Sequence, residues 1–146
     1  MTVDVTATIV IERPIEQVAA YAGEPSNAPE WCRHIASAQW LTEPPMMLGS
    51  LITFRARLLG RDLVYTYQVV EFTPGEQLAM RIAGGPLPIN TIYTWRPVGH
   101  RVTHMTLHNH GEPQGLARLA APLIAAAMRR SMRQDLGRLK QLLEAT

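Results

Sequence analysis

The sequence predicts an α+β domain: a curved sheet of seven strands around one long C-terminal helix, with two short helices near the N-terminus. Three observations carry this. From Val3 to His110 apolar and polar residues alternate in short segments, the two-residue period of half-buried strands. Turn-forming groups divide that region at meander spacing, among them Pro44-Pro45, Gly60-Arg61, Thr73-Pro74-Gly75 and Gly84-Gly85-Pro86. From Pro113 to Thr146 the period changes to three and four: Leu116, Leu119, Ala120, Leu123, Ile124, Ala127, Met128, Met132, Leu136, Leu139 and Leu143. At about 1.5 Å per residue, roughly 30 residues of helix span some 45 Å. A helix that long cannot bury its own apolar face, so the sheet must wrap it.

The elements follow in order. Val3 to Ile11 sets Val3, Val5, Ala7, Ile9 and Ile11 against Asp4, Thr6 and Thr8, a half-buried first strand. Pro14 suits the first turn of a helix through Val18 and Tyr21, which Gly23 closes. Pro25 to Trp31 reads as a turn and a second short helix. Strands are then expected at Ile35–Leu41, Ser50–Leu59, Leu63–Phe72, Leu78–Ile82, Ile89–Arg96 and Val102–His110. In the final helix Pro122 removes one backbone hydrogen bond, so a short arm should precede it and a long straight helix follow.

A chain of 146 residues with 47% hydrophobic and 18% charged residues fits a single domain, 1–146, with a real core. It is neither disordered nor membrane-like in composition, and no apolar run approaches the roughly 20 residues of a membrane span. No signal peptide is apparent. One cysteine, Cys32, excludes an internal disulfide and points to a reducing, cytoplasmic setting. The formal charge is only +2. Arginines cluster between Arg129 and Arg138, a pattern suited to nucleic acid or an anionic membrane. No nucleic-acid motif accompanies them, so a solvated helix face and no nucleic-acid partner are expected.

The order of several short motifs carries a resemblance. Arg13-Pro14, Val18 and Tyr21 lead into Pro25-x-Asn27-x-Pro29-x-Trp31. Leu48-Gly49, Val69 with Pro74, Gly85-Pro86, Tyr93 and Arg101-Val102-Thr103 follow. Glu112-Pro113-x-Gly115-Leu116 and Leu139-Lys140-x-Leu142-Leu143-Glu144 close the series. Together they resemble the START-like, polyketide cyclase/dehydrase (SRPBCC) superfamily over essentially the whole chain. The resemblance implies the helix-grip fold, a seven-stranded antiparallel sheet gripping the C-terminal helix around an apolar cavity. One departure is Glu24, where an Asp is usual; the position reads as a cap, so the change touches local structure rather than chemistry.

Candidates for the cavity wall come from the inward faces. Phe54 lies on the third strand, Tyr65 and Tyr67 on the fourth, Met80 on the fifth, and Tyr93 and Trp95 on the sixth. Leu123 and Ala127 are expected to face them from the final helix. Trp31 is a candidate for the pocket rim, or for a staple joining the short helices to the sheet, as is Trp40. A buried tyrosine needs a hydrogen-bond partner, which a ligand or the core can supply. Arg55, Arg57 and Arg81 alternate with apolar residues and are expected in solvent.

His104, Thr106, His108 and His110 share one side of the last strand. His104 and His108 would stand about 13 Å apart along an extended strand. They cannot share an ion, and no metal and no cofactor is expected. If Met105 and Leu107 face the core, the histidines face solvent. If Val102 sets the inward side, His104 and His108 line the cavity and become the acid/base candidates. Met46-Met47, beside Pro44-Pro45, suits a loop over the cavity mouth or a homodimer contact. Gly84 to Pro88 is a second candidate gate.

No GxSxG, glycine-rich phosphate loop, HExxH or CxxC occurs, and no catalytic residue is assigned. The leading reading is binding of an apolar or aromatic small molecule, lipids included, between sheet and helix. The alternative is a polyketide cyclase/aromatase using cavity histidines or tyrosines. A third is an interaction module built on the basic helix face.

Overall fold

The computed structural model describes residues 2–58, 60–82 and 88–146. Strands β1 (Val3–Ile11), β2 (Ile35–Trp40), β3 (Leu51–Leu58), β4 (Arg61–Thr73), β5 (Gln77–Ile82), β6 (Ile89–Gly99) and β7 (Val102–Gly111) form one sheet. Every neighbouring pair is antiparallel, in the order β1-β7-β6-β5-β4-β3-β2. The register shifts between Ile35 and Ser37, Val69 and Glu71, and Pro97 and Gly99. Such bulges add local twist and bend a strand, which helps the sheet curl.

Helix α1 (Ile15–Ala22) follows β1, and Val18, Ala19 and Ala22 are its buried positions. A 3-10 turn, Pro25–Asn27, leads into α2 (Ala28–Trp31). Glu24 caps that turn by accepting from the Ser26 N–H at 3.0 Å, and its other role is to accept from Trp40 Nε1 at 3.2 Å. Trp40 therefore ties β2 to the capped turn.

At the C-terminus Gly115 takes φ +62°, a left-handed value open to glycine at no steric cost. A 3-10 segment, Gly115–Ala120, precedes helix α3 (Ala121–Glu144). Pro122 falls in the first turn of α3, where the missing N–H would have had no partner, so it starts the helix instead of bending it.

One end of α3 is clamped to β1. Glu12 N–H donates to Glu144 Oε2 at 2.8 Å, and Lys140 Nζ donates to the Val10 carbonyl at 2.8 Å. Arg13 Nη2 donates to the carbonyls of Glu144 and Thr146 at 2.7 and 2.9 Å. The face of α3 turned to the sheet buries Ala121, Met132, Leu136, Leu139 and Leu143, with Ile124, Ala125 and Met128 packed beside them. No described helix is long and apolar enough to cross a membrane.

Candidate ligand-binding site

Strand pairing decides which residues face α3. β1 buries its odd-numbered positions, and its register sets Val5 opposite Asn109, Ala7 opposite Leu107 and Ile9 opposite Met105. Thr103, Met105, Leu107 and Asn109 are thus the inward residues of β7, and β6 matches them with Pro97, Trp95, Tyr93 and Thr91. Met80 lies opposite Thr91, and Val69 opposite Met80. Across β4 and β3, Tyr67 faces Ile52 and Tyr65 faces Phe54. Phe54, Tyr65, Tyr67, Met80, Tyr93 and Trp95 therefore share the concave face.

His104 and His108 do not, and here the sequence-based wall is corrected. They alternate with buried Thr103, Met105 and Leu107, so the strand's two-residue period turns them to the opposite side. There His108 Nε2 meets Asp4 Oδ1 at 2.6 Å, with His110 Nδ1 3.5 Å from Oδ2. The His108 hydrogen bond holds the Asp4 carboxyl below its ordinary range. Among the described residues no cluster suited to a metal ion occurs.

The rings of the concave face touch in two groups. Phe54, Tyr65 and Tyr67 form a triangle with centroid separations of 5.6 to 6.1 Å. Tyr93 contacts Trp31 at 5.9 Å and Trp95 at 6.0 Å, both edge to face, the arrangement that ring quadrupoles favour. Trp31 joins the wall from α2 and is 2% exposed.

A polar chain crosses this apolar surface. Thr91 Oγ1 donates to Asn109 Oδ1 at 2.7 Å and stands 3.0 Å from the Tyr67 hydroxyl. A threonine has one hydroxyl proton, so Tyr67 is the donor in the second bond. Asn109 Nδ2 in turn reaches Met132 Sδ on α3 at 3.5 Å. Burial pushes the Tyr67 hydroxyl up to about 12.

Four other donors on this wall stay empty-handed. The indole N–H groups of Trp31 and Trp95 are buried without a partner among the described residues. No described group bonds the hydroxyls of Tyr65 or Tyr93, and burial is the main cause raising both. All three tyrosines lie deep, yet each keeps part of its surface uncovered by protein atoms. A deep side chain with uncovered surface borders a space.

Two residues absent from the sequence-based wall stand beside it. Burial pushes the Cys32 thiol up, and Asp135 adds to the effect. Asp135, on α3, is half-buried and accepts from the Arg33 N–H at 3.0 Å. Burial raises its carboxyl above 3.8, and that Arg33 bond only partly opposes the shift. Trp31, Cys32, Arg33, Asp135 and Arg138 line an open groove of about 210 Å³ at the seam of α2 and α3. A wider depression of about 470 Å³ lies between Thr2, Glu112 and Arg118, but its lining is largely polar.

Leu123 and Ala127 are the second correction. Both are exposed; the inward positions of α3 are Ile124, Ala125 and Met128 instead. The first turns of α3 carry apolar residues on two sides, and the clamped C-terminal end selects the other one. Of the expected loops, Met46 packs on the core while Met47 is exposed. Residues 84–87 of the second candidate gate lie outside the described residues.

Residues 2–144 match the model of a family described as polyketide cyclase / dehydrase and lipid transport. No curated protein sequence matches the chain. Among solved structures, a Thermus thermophilus protein superposes with a TM-score of 0.82 at 16% identity, over 97% of each chain. The Zhui aromatase/cyclase from a Streptomyces species gives 0.84 at 13% identity, over 99% of this chain and 94% of that one. A START superfamily protein from Mycobacterium smegmatis gives 0.72 at 15%, over 95% and 98%. At such identities the likeness is one of fold.

Proposed function

This chain belongs to the polyketide cyclase/dehydrase and lipid transport family, and from that premise we propose that it binds an apolar, ring-bearing molecule carrying hydrogen-bond acceptors. The observation behind this reading is a pair of hydroxyls, those of Tyr65 and Tyr93, that no described group bonds, on an aromatic wall where both rings keep uncovered surface. An unmet buried donor costs about 1–3 kcal/mol, and a ligand oxygen would relieve it. Both hydroxyls can donate, so the matching ligand groups are carbonyl or phenolic oxygens. The tyrosines hold their protons at neutral pH, which suits donation and not proton abstraction.

Titration of tryptophan fluorescence with fluorenone and with fluorene tests this, since the two differ by one carbonyl. Fluorenone should bind about tenfold more tightly. Tyr65→Phe or Tyr93→Phe should narrow that preference about threefold to tenfold without loss of fold. Equal affinity for the two compounds would sink the reading.

One observation favours an enzymatic reading as well. Asp135 combines a raised carboxyl with a place beside Cys32 in the groove between α2 and α3, as an acid/base group for closing a poly-ketone chain requires. In that case Asp135→Asn would abolish cyclisation of a poly-β-ketone while leaving fluorenone binding intact.

A further inference from the structure

The side of the C-terminal segment turned away from the sheet forms a second surface. Leu116, Leu119 and Leu123 are 87%, 83% and 76% exposed. Such leucines gain nothing in water. Between Pro113 and Gln134 the chain has no Asp or Glu, yet it has Arg118, Arg129, Arg130 and Arg133. None of these arginines has a carboxylate partner among the described residues.

The order along α3 is informative. At about 100° per residue, Ala126, Ala127, Arg130 and Arg133 fall on the side of Leu123, and all four are exposed. Leucines come first, small alanines next, arginines last. Arg130 stands about 10 Å along the axis from Leu123. An interfacial helix sinks its apolar part about 5–10 Å below the headgroups, so that separation sets leucines at acyl depth and arginines at phosphate depth.

We propose that this surface docks on an anionic phospholipid bilayer, with Leu116, Leu119 and Leu123 inserted and Arg130 and Arg133 on the phosphates. A second copy of the chain fits less well. A two-fold contact sets a patch against itself, bringing unpaired arginines together without a carboxylate to offset them. A nucleic-acid backbone would satisfy the arginines but leave the leucines in water. Docking here requires nothing of the space between sheet and helix, so it stands or falls apart from ligand binding.

Co-sedimentation with vesicles of phosphatidylcholine alone, and of phosphatidylcholine mixed with phosphatidylserine, tests the proposal. The protein should pellet with the mixed vesicles and much less with the neutral ones, and high salt should weaken the binding. Each arginine at an anionic surface contributes about fivefold, so Arg130→Glu with Arg133→Glu should cost at least ~25-fold. Leu119→Ser with Leu123→Ser should cost at least about tenfold, with thermal unfolding unchanged because both positions are exposed. Absence of binding to the mixed vesicles at low salt overturns the proposal. Undiminished binding by the leucine variant does so too, since charge alone would then explain the attraction. A concentration-dependent dimer that the leucine variant abolishes would assign the patch to a second copy instead.

Discussion

Replacing Thr91 by Val should destabilise the protein more than replacing Tyr67 by Phe, although both remove one hydroxyl. Thr91 is the hub of the polar chain: it donates to Asn109 Oδ1 at 2.7 Å and accepts from Tyr67 at 3.0 Å. Valine keeps the shape and removes both bonds. The Asn109 oxygen then has no donor, and the Tyr67 hydroxyl loses its acceptor. Two hydrogen bonds at about 1 kcal/mol each, with a further contribution for the stranded oxygen, give about 2–3 kcal/mol. Tyr67→Phe removes the outer link only and leaves Thr91 bonded to Asn109, a loss of about 1 kcal/mol. In a domain of this size these correspond to about 4–12 °C and about 2–4 °C in Tm. Urea unfolding of the two single variants and the double variant is the assay. The double should resemble Thr91→Val alone, because its second change removes a bond already gone. Strict additivity, or a larger effect from Tyr67→Phe, would refute the bonding of Tyr67 through Thr91.

Two further predictions concern α3. Leu139→Ala, at a site that is 0% exposed, should cost about 2–5 kcal/mol in urea unfolding, whereas Leu119→Ala should stay within about 0.5 kcal/mol; similar values would mean that the assigned helix face is wrong. Asp135 carries a folded-state pKa above its unfolded value near 3.8. Its contribution to stability is therefore complete below that value and is lost as pH rises through the raised one. Asp135→Asn can still accept from the Arg33 N–H but does not ionise. Its stability relative to the parent should thus rise from about pH 3.5 to about pH 7, and a flat difference across that range would contradict the raised pKa.

What the sequence makes readable, and what it hides, follows from how many partners each signal needs. Alternation on β1 or β3 is local, and both inward faces are correct as read, Phe54 included. The inward set of β6 is readable too, because Ile89, Thr91, Tyr93 and Trp95 share one parity. The bond from Thr91 to Asn109 carries no sequence signal, because a polar residue on an inward face looks like an interruption until its partner is known. β7 has apolar residues of both parities, Val102 against Met105 and Leu107, so its facing depends on β1, more than 90 residues away in sequence. Asp4 opposite the histidines was the available clue: a carboxylate on the strand's polar side draws His108 and His110 to that side.

The helix presents the same difficulty in another period. Leu116, Leu119 and Leu123 fit the three-and-four spacing as well as Ile124, Met128 and Met132 do, so spacing alone selects no face. The decision is made farther down, where Arg130, Arg133, Gln134 and Gln141 occupy the solvent side and Leu136, Leu139 and Leu143 the buried one. Carried back at about 100° per residue, that assignment turns Leu123 outward and Met128 inward. The Lys140 and Glu144 contacts with β1 hold the whole rod to that rotation. The exposed leucines are thus no failure of packing. A straight helix anchored at its C-terminal end has one buried stripe, and its N-terminal turns carry apolar residues beyond that stripe. A wholly solvated helix end has no use for three leucines, which is why their exposure points to a surface outside the chain.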